Sequence, residues 1–364
     1  MNIVVSIILT LLVFTLIVVI HEGGHFWMAR KMGVFVEEFA IGMGPAIFKR
    51  MTKKGMVFSV RALPIGGFCQ MKGEEQQEGV VPDEDSFTGK KPWQRALIVF
   101  AGPFMNFVLA FILLLILNIA VGYIDRMVIS AEPEYPAAEA GLEAGDTIIG
   151  MNGESVHSYN KVTLLMLLYE EGKEVTLKVR TPEKEVKTLT FTPKYDEAGG
   201  RYRMGFSVGL SGSLSDQIKA KGFFPAVGTV VVQSFWDMLF QIEMTIRSFG
   251  MLISGKVGLD GLTGPIGIVS VVNTTVQESK AYGIIAVIES MMDLTVLISA
   301  NLGVLNLFPI PGLDGSRLVF LLIEKIRRKP MSAKIENAIY LVGFILLFGL
   351  MAVVAFNDIW KLIK

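Results

Sequence analysis

The stretch VVIHEGGHFWMAR, residues 18–30, decides how this chain is read. It begins inside an apolar run, Ile3 to Ile20, and sets His21, Glu22 and His25 where that run ends. Ionisable groups in a helix of membrane length are costly, so such groups are held there by a function or a partner. Residues at i and i+4 share one helix face, so both imidazoles can reach one metal ion, with Glu22 projecting beside it. This is the H-E-x-x-H arrangement, in which two neutral histidines bind zinc and the glutamate acts as a base toward water. The bland reading is interhelical packing, with Gly23 and Gly24 allowing close approach and the imidazoles acting as hydrogen-bonding glue. Three polar groups within one turn of a membrane helix favour the metal.

The composition supports a membrane chain. Of 364 residues, 52% are hydrophobic, more than a water-soluble domain pair carries, and the polar residues concentrate in the middle. Net charge is zero, which gives no reason to expect a nucleic-acid partner. Cys69 is the single cysteine, so no intrachain disulfide can form. The N-terminal run lacks a basic leader and a small-residue cleavage site, and is read as an uncleaved span.

Spanning a bilayer takes about 20 apolar residues. Residues 2–27, 94–123, 282–307 and 335–358 meet that requirement, giving an expected α-helical polytopic membrane protein with four transmembrane helices. Residues 30–92 and 308–334 are rich in lysine and arginine, which places both loops in the cytoplasm and both termini outside. The ambiguous segment is 223–253. It is apolar but interrupted by Asp237, Glu243 and Arg247, and a charge at mid-bilayer costs about 2.5–3.5 kcal/mol. It is therefore read as an amphipathic helix on the outer surface.

The expected division is residues 1–123 (two spans, the metal motif and a hairpin at 55–73), 124–211 (an inserted α+β domain), 212–281 (a surface helical segment) and 282–364 (two further spans). Within the second region, EVTLKVRT (174–181) and VKTLTFTP (186–193) alternate with the period of half-buried strands. The preceding segment resembles a PDZ domain of the bacterial protease type. Pro136, Ala137, Ala140, Gly141, Leu142, Gly145, Asp146, Asn152 and Gly153 match its pattern, and Tyr135 replaces the usual serine. MGF (204–206) is only a weak counterpart of a carboxylate-binding loop.

Catalytic zinc takes three protein ligands and leaves one position open. NLFPIPGLDGSRL, residues 306–318, supplies a candidate third ligand. Pro309, Pro311 and Gly312 must break the third span, leaving Asp314 on irregular backbone, which is tolerated at depth only inside protein or beside a wet cavity. The competing reading makes Asp314 a helix cap. Asn306, near the break, can offer an amide N–H to a developing oxyanion. A second LDG at 259–261 makes Asp260 a decoy, assigned to the opposite side of the membrane. His157 falls in the external domain and is read as a surface residue.

Together these motifs resemble the site-2 protease family of intramembrane zinc metalloproteases, most closely its bacterial branch of the regulator of sigma-E protease type with a single PDZ domain. FAIGMGP (39–45), AGPFMN (101–106) and GPIGI (264–268) resemble further signatures of that family. The resemblance implies Zn2+ held by His21, His25 and Asp314, with Glu22 as catalytic base and Asn306 stabilising the transition state. It implies a hydrolase of the bacterial cytoplasmic membrane with its active site toward the cytoplasm. Implied substrates are single-pass membrane proteins of the anti-sigma-factor type, trimmed first by a site-1-type protease, and remnant signal peptides.

GMVFSVRALPIGGFCQMKG (55–73) reads as two strands around PIGG and resembles the family's membrane-associated hairpin. Cleavage needs an extended chain, so Val57, Phe58, Ser59, Val60, Gly66, Gly67 and Phe68 are candidates for holding substrate by strand addition. A purely structural hairpin is the alternative. Two other classes compete with an enzyme. An inactive membrane-anchored PDZ adaptor would lack the base or the third ligand, and both are present. A metal transporter would show polar residues along a span, and the first two spans offer almost none.

Overall fold

The computed structural model describes residues 3–74, 83–197, 199–256, 258, 263–329 and 331–363. In chain order the elements are α1 (Ile3–Lys31), β1 (Val36–Met51), β2 (Val57–Met71), α2 (Pro92–Ala120), β3 (Ile124–Ala131), α3 (Pro136–Glu139), β4 (Thr147–Met151), β5 (Glu154–Ser155), α4 (Tyr159–Leu167), β6 (Val175–Arg180) and β7 (Val186–Phe191). There follow β8 (Lys194–Asp196), β9 (Arg201–Arg203), β10 (Phe206–Leu210), α5 (Leu214–Lys221), α6 (Phe223–Ile253), α7 (Pro265–Lys280), α8 (Ile284–Leu307), α9 (Asp314–Arg327) and α10 (Ala333–Ile363).

Two compact units result. Residues 1–113 and 245–364 form one, and residues 114–244 form the other. The segment expected as a single piece, 212–281, is therefore divided at 244/245.

In the first unit α1 is apolar along its length and ends on Arg30 and Lys31, charges that suit both a helix C-terminus and a membrane edge. It packs tightly on α2: a side chain at Gly24 would meet the Ala101 carbonyl oxygen at 2.3 Å, while Gly23 has open space. Only Gly24 serves close packing. The hairpin is more than a two-stranded ribbon, because both strands are long and bent back. Residues 38–41 pair with 67–70 on one side and with 57–60 on the other, and residues 46–51 close on the outer side of 57–61. Its tip reaches along α1, where Thr15 Oγ1 donates to the Pro64 carbonyl oxygen at 2.7 Å. Thr15 lies six residues before His21, about 9 Å along the helix axis. Met43, Ile47, Phe48, Leu63 and Ile65 of this hairpin are exposed, apolar side chains suited to lipid. On α10, Asp358 accepts from the Gly267 N–H at 2.8 Å and the Gly264 N–H at 3.3 Å, capping the start of α7. A side chain at Gly264 would meet that carboxylate at 2.7 Å, which accounts for the glycine in GPIGI.

The second unit centres on an antiparallel sheet of order β10-β3-β4-β6-β7, with β5 paired to β4. Val128, Ile148, Met151, Val175, Leu177 and Val179 from its strands pack with Val162 and Leu165 of α4. The AGLEAGD turn is built as its sequence demands: Gly145 has φ +96°, and Asp146 Oδ2 accepts from the Glu143 N–H at 3.1 Å.

Five helices among the described residues are long and apolar enough to cross a membrane: α1, α2, α6, α8 and α10. Four were expected, and α6 is the addition. Its 31 residues form one unbroken helix, and the acids that argued against crossing have partners. Asp237 is buried and accepts from Ser158 Oγ (2.6 Å), Gln233 Nε2 (3.0 Å) and Asn118 Nδ2 (3.3 Å). Glu243 pairs with Lys161 Nζ at 2.9 Å. Neither acid stands alone against lipid, so the charge penalty does not by itself exclude a crossing. His157 is exposed, as expected, and stacks on Trp236 of α6 with ring centroids 3.7 Å apart.

Candidate metal centre

α1 carries His21 and His25 on one face, both buried. Their Nε2 atoms are 3.2 Å apart. Asp314 arrives from a chain break. α8 ends at Leu307, the Phe308–Gly312 segment turns with Gly312 at φ +98°, and α9 starts at Asp314 itself. The cap position is Leu313, and no side chain caps this helix, so Asp314 is not spent on capping. The following glycine is required by packing, since a side chain at Gly315 would meet the Phe308 and Leu307 carbonyl oxygens at 2.2 and 2.3 Å.

Asp314 Oδ2 lies 3.1 Å from His21 Nε2 and 3.3 Å from His25 Nε2. It is nevertheless buried without a hydrogen-bond partner, because the three atoms converge on a common point instead of aiming at one another. Ligand atoms about 2.0–2.1 Å from a tetrahedral zinc stand about 3.3–3.4 Å from each other. The triangle of 3.1, 3.2 and 3.3 Å has nearly that edge. These residues fit zinc, and among the described residues they form the one group of histidine, cysteine and acidic side chains close enough to share an ion. Asp260, the alternative ligand, lies outside the described residues.

α2 forms the wall behind the imidazoles. His25 Nδ1 stands 2.9 Å from the Ile98 carbonyl oxygen, which can only accept, so the ring hydrogen is on Nδ1 and Nε2 is free for metal. A side chain at Gly102 would meet His25 Nε2 at 2.2 Å and His21 Cε1 at 2.9 Å. Asn106 Nδ2 is 3.3 Å from His21 Nδ1. Residues 98, 102 and 106 repeat every four and so form one stripe. The sequence reading missed all three in this role. An asparagine in an apolar run was the available signal.

Glu22 Oε2 accepts from the Cys69 N–H at 3.0 Å, tying its carboxylate to strand β2. The Cys69 thiol is buried, and burial together with the Glu22 and Glu74 carboxylates pushes its pKa up. A cavity of about 1310 Å³ is lined by His21, Glu22, His25, Asn306 and Asp314, and by Phe68 to Glu74 along β2 and its end. Arg317 pairs with Glu74 and Arg95 with Glu324 on its polar side.

The seven hairpin candidates separate. Val57 to Val60 are paired on both sides, by 38–41 and by 46–51, and have no free edge to offer. That part of the expectation is corrected: the back-folded β1 covers them. Gly66, Gly67 and Phe68 lead into residues 67–71, an outer strand of this sheet.

The profile of peptidase family M50 matches residues 9–350. Among similar proteins, zinc metalloprotease RasP of Shouchella clausii (strain KSM-K16) is 31% identical over 433 aligned residues, covering 96% of this chain and 97% of the relative. Zinc metalloprotease RasP of Geobacillus kaustophilus (strain HTA426) is 29% identical, covering 98% of each. Among solved structures, the PDZ domain of an SdrC-like protein from Listeria monocytogenes aligns over 26% of this chain and 90% of its own, at 18% identity and a TM-score of 0.21.

Proposed function

This chain belongs to peptidase family M50, the site-2 proteases, and is a membrane-embedded zinc metalloprotease; we propose that it is an endopeptidase that cuts single-pass membrane proteins within their transmembrane segments. The observation that carries this reading is the convergence of His21, His25 and Asp314 at zinc-ligand spacing on a span and a broken helix. In this reading the three side chains hold the ion, which when bound supplies Lewis acidity to water and to the scissile carbonyl.

The remaining work falls to the chain's own groups. Glu22 takes the water proton and returns it to the leaving nitrogen, with the Cys69 N–H holding one carboxylate oxygen so that the other can turn to the water. Asn306 lines the same cavity and donates an amide N–H to the oxyanion. An unwound substrate segment adds along the outer strand at Gly66, Gly67 and Phe68, just before the Cys69 N–H that Glu22 takes, with Phe68 lining the cavity. The lysine- and arginine-rich loop between α1 and α2 supports a cavity that faces the cytoplasm of a bacterial inner membrane. Anti-sigma-factor-type regulators already trimmed outside by a site-1-type protease, and remnant signal peptides, are the proposed substrates.

The test uses the full chain in lipid vesicles with a synthetic single-pass peptide. Zinc-loaded protein should release fragments whose masses place the cut inside the apolar segment, and Glu22→Gln should keep zinc and lose cleavage. A cut confined to the water-exposed flanks, or wild-type turnover by Glu22→Gln, would overturn the reading.

A further inference from the structure

We infer that Asn106 is a positioning residue for the metal centre, its side-chain carbonyl holding His21 in the one tautomer that can bind zinc. The inference rests on the ligand set proposed above and concerns a residue outside it. An imidazole that coordinates through Nε2 carries its hydrogen on Nδ1, and that N–H needs an acceptor. His25 has one in the Ile98 carbonyl oxygen. For His21 the group facing Nδ1 is the Asn106 carboxamide, at 3.3 Å.

Asn106 is fully buried, and its main-chain carbonyl accepts from Ser299 Oγ at 2.8 Å, which ties its turn of α2 to α8. Its side-chain oxygen Oδ1 is buried with no hydrogen-bond partner. A carboxamide presents a donor and an acceptor related by a half-turn about its Cβ–Cγ bond. With the nitrogen toward His21, Nδ1 must accept, the ring hydrogen moves to Nε2, and no lone pair remains for a metal. With the oxygen toward His21, Oδ1 gains the partner it lacks and the Nε2 lone pair turns to the point shared with His25 and Asp314. Coordination of zinc through His21 Nε2 therefore goes with the orientation in which Oδ1 faces the ring. The same side chain could merely fill the contact between α2 and its neighbours. That role and the positioning role order the substitutions oppositely.

The experiment measures zinc affinity of the full-length chain in detergent micelles by competition with a chromophoric chelator. His21→Ala is the control for the centre itself: if it binds zinc as tightly as wild type, the ligand set fails, whatever Asn106 does. Asn106→Leu removes the acceptor at similar volume and should weaken zinc binding by about 10–100-fold. Asn106→Asp keeps an acceptor and should bind zinc more tightly than the leucine variant. A space-filling role predicts the reverse, because leucine is apolar and aspartate buries a charge. Should the leucine variant fail to accumulate, Asn106→Ser takes its place; its hydroxyl is too short to reach the ring, so the same loss is expected. Wild-type affinity in the leucine or serine variant, or weaker binding by aspartate than by leucine, overturns the inference.

Discussion

A single methyl group at residue 102 would stand 2.2 Å from His25 Nε2, far inside van der Waals contact. The atom belongs to a buried ring already tied to Ile98, so neither side can give way without moving the imidazole. Gly102→Ala is expected to fold and to lose stoichiometric zinc, whereas Gly23→Ala, with open space around it, should retain one zinc per chain. Metal analysis of the two purified variants checks this, and a full zinc complement in Gly102→Ala would show that the α2 wall is looser than its geometry. The contrast explains what was legible at this scale. His21, Glu22 and His25 could be read because one turn of one helix fixes their relation. The Ile98 carbonyl could not, since a main-chain acceptor carries no residue identity, and Gly102 matters only for what lies opposite it.

At the level of elements, the periodicity of apolar residues was enough to find α1, α2, α8 and α10 and the alternating strands β6 and β7. It was not enough for the hairpin, where pairing depends on each strand bending back; hence Val57 to Val60 were misplaced at an edge they do not have. Nor was it enough for α6, because the partners that satisfy its acids come from residues up to 119 positions away, in α2 and in and beside α4. Those partners make a measurable claim. Asp237→Ala would leave the buried donors of Ser158 and Gln233 without this acceptor, while Asn118 Nδ2 keeps Ser234 Oγ at 3.0 Å. A loss on the order of 3 kcal/mol of stability is expected at about 1–3 kcal/mol per orphaned group, discounted for relaxation and water entry. Thermal unfolding of the full chain in detergent reads it directly. An unchanged midpoint would mean that this network contributes nothing to holding α6.

For the whole molecule, the membrane-embedded zinc metalloprotease could be read from spaced motifs alone, and the family profile over residues 9–350 agrees. Span number and orientation could not, because they turn on α6 and on no local pattern. Single cysteines at Lys54 and Ser332, with Cys69 replaced, should react only with membrane-permeant reagents, and one at Glu183 with impermeant reagents in intact cells. External labelling at Ser332 would mean that α6 crosses. The central claim is the ligand set that joins α1 to α9 across the fold. X-ray absorption at the zinc edge of the purified full chain tests it most directly. The account predicts two imidazole nitrogens and oxygen ligands at about 2.0–2.2 Å, with zinc lost from Asp314→Ala. A sulfur scatterer at about 2.3 Å, which would bring Cys69 into the shell, or an unchanged spectrum in Asp314→Ala, would contradict it.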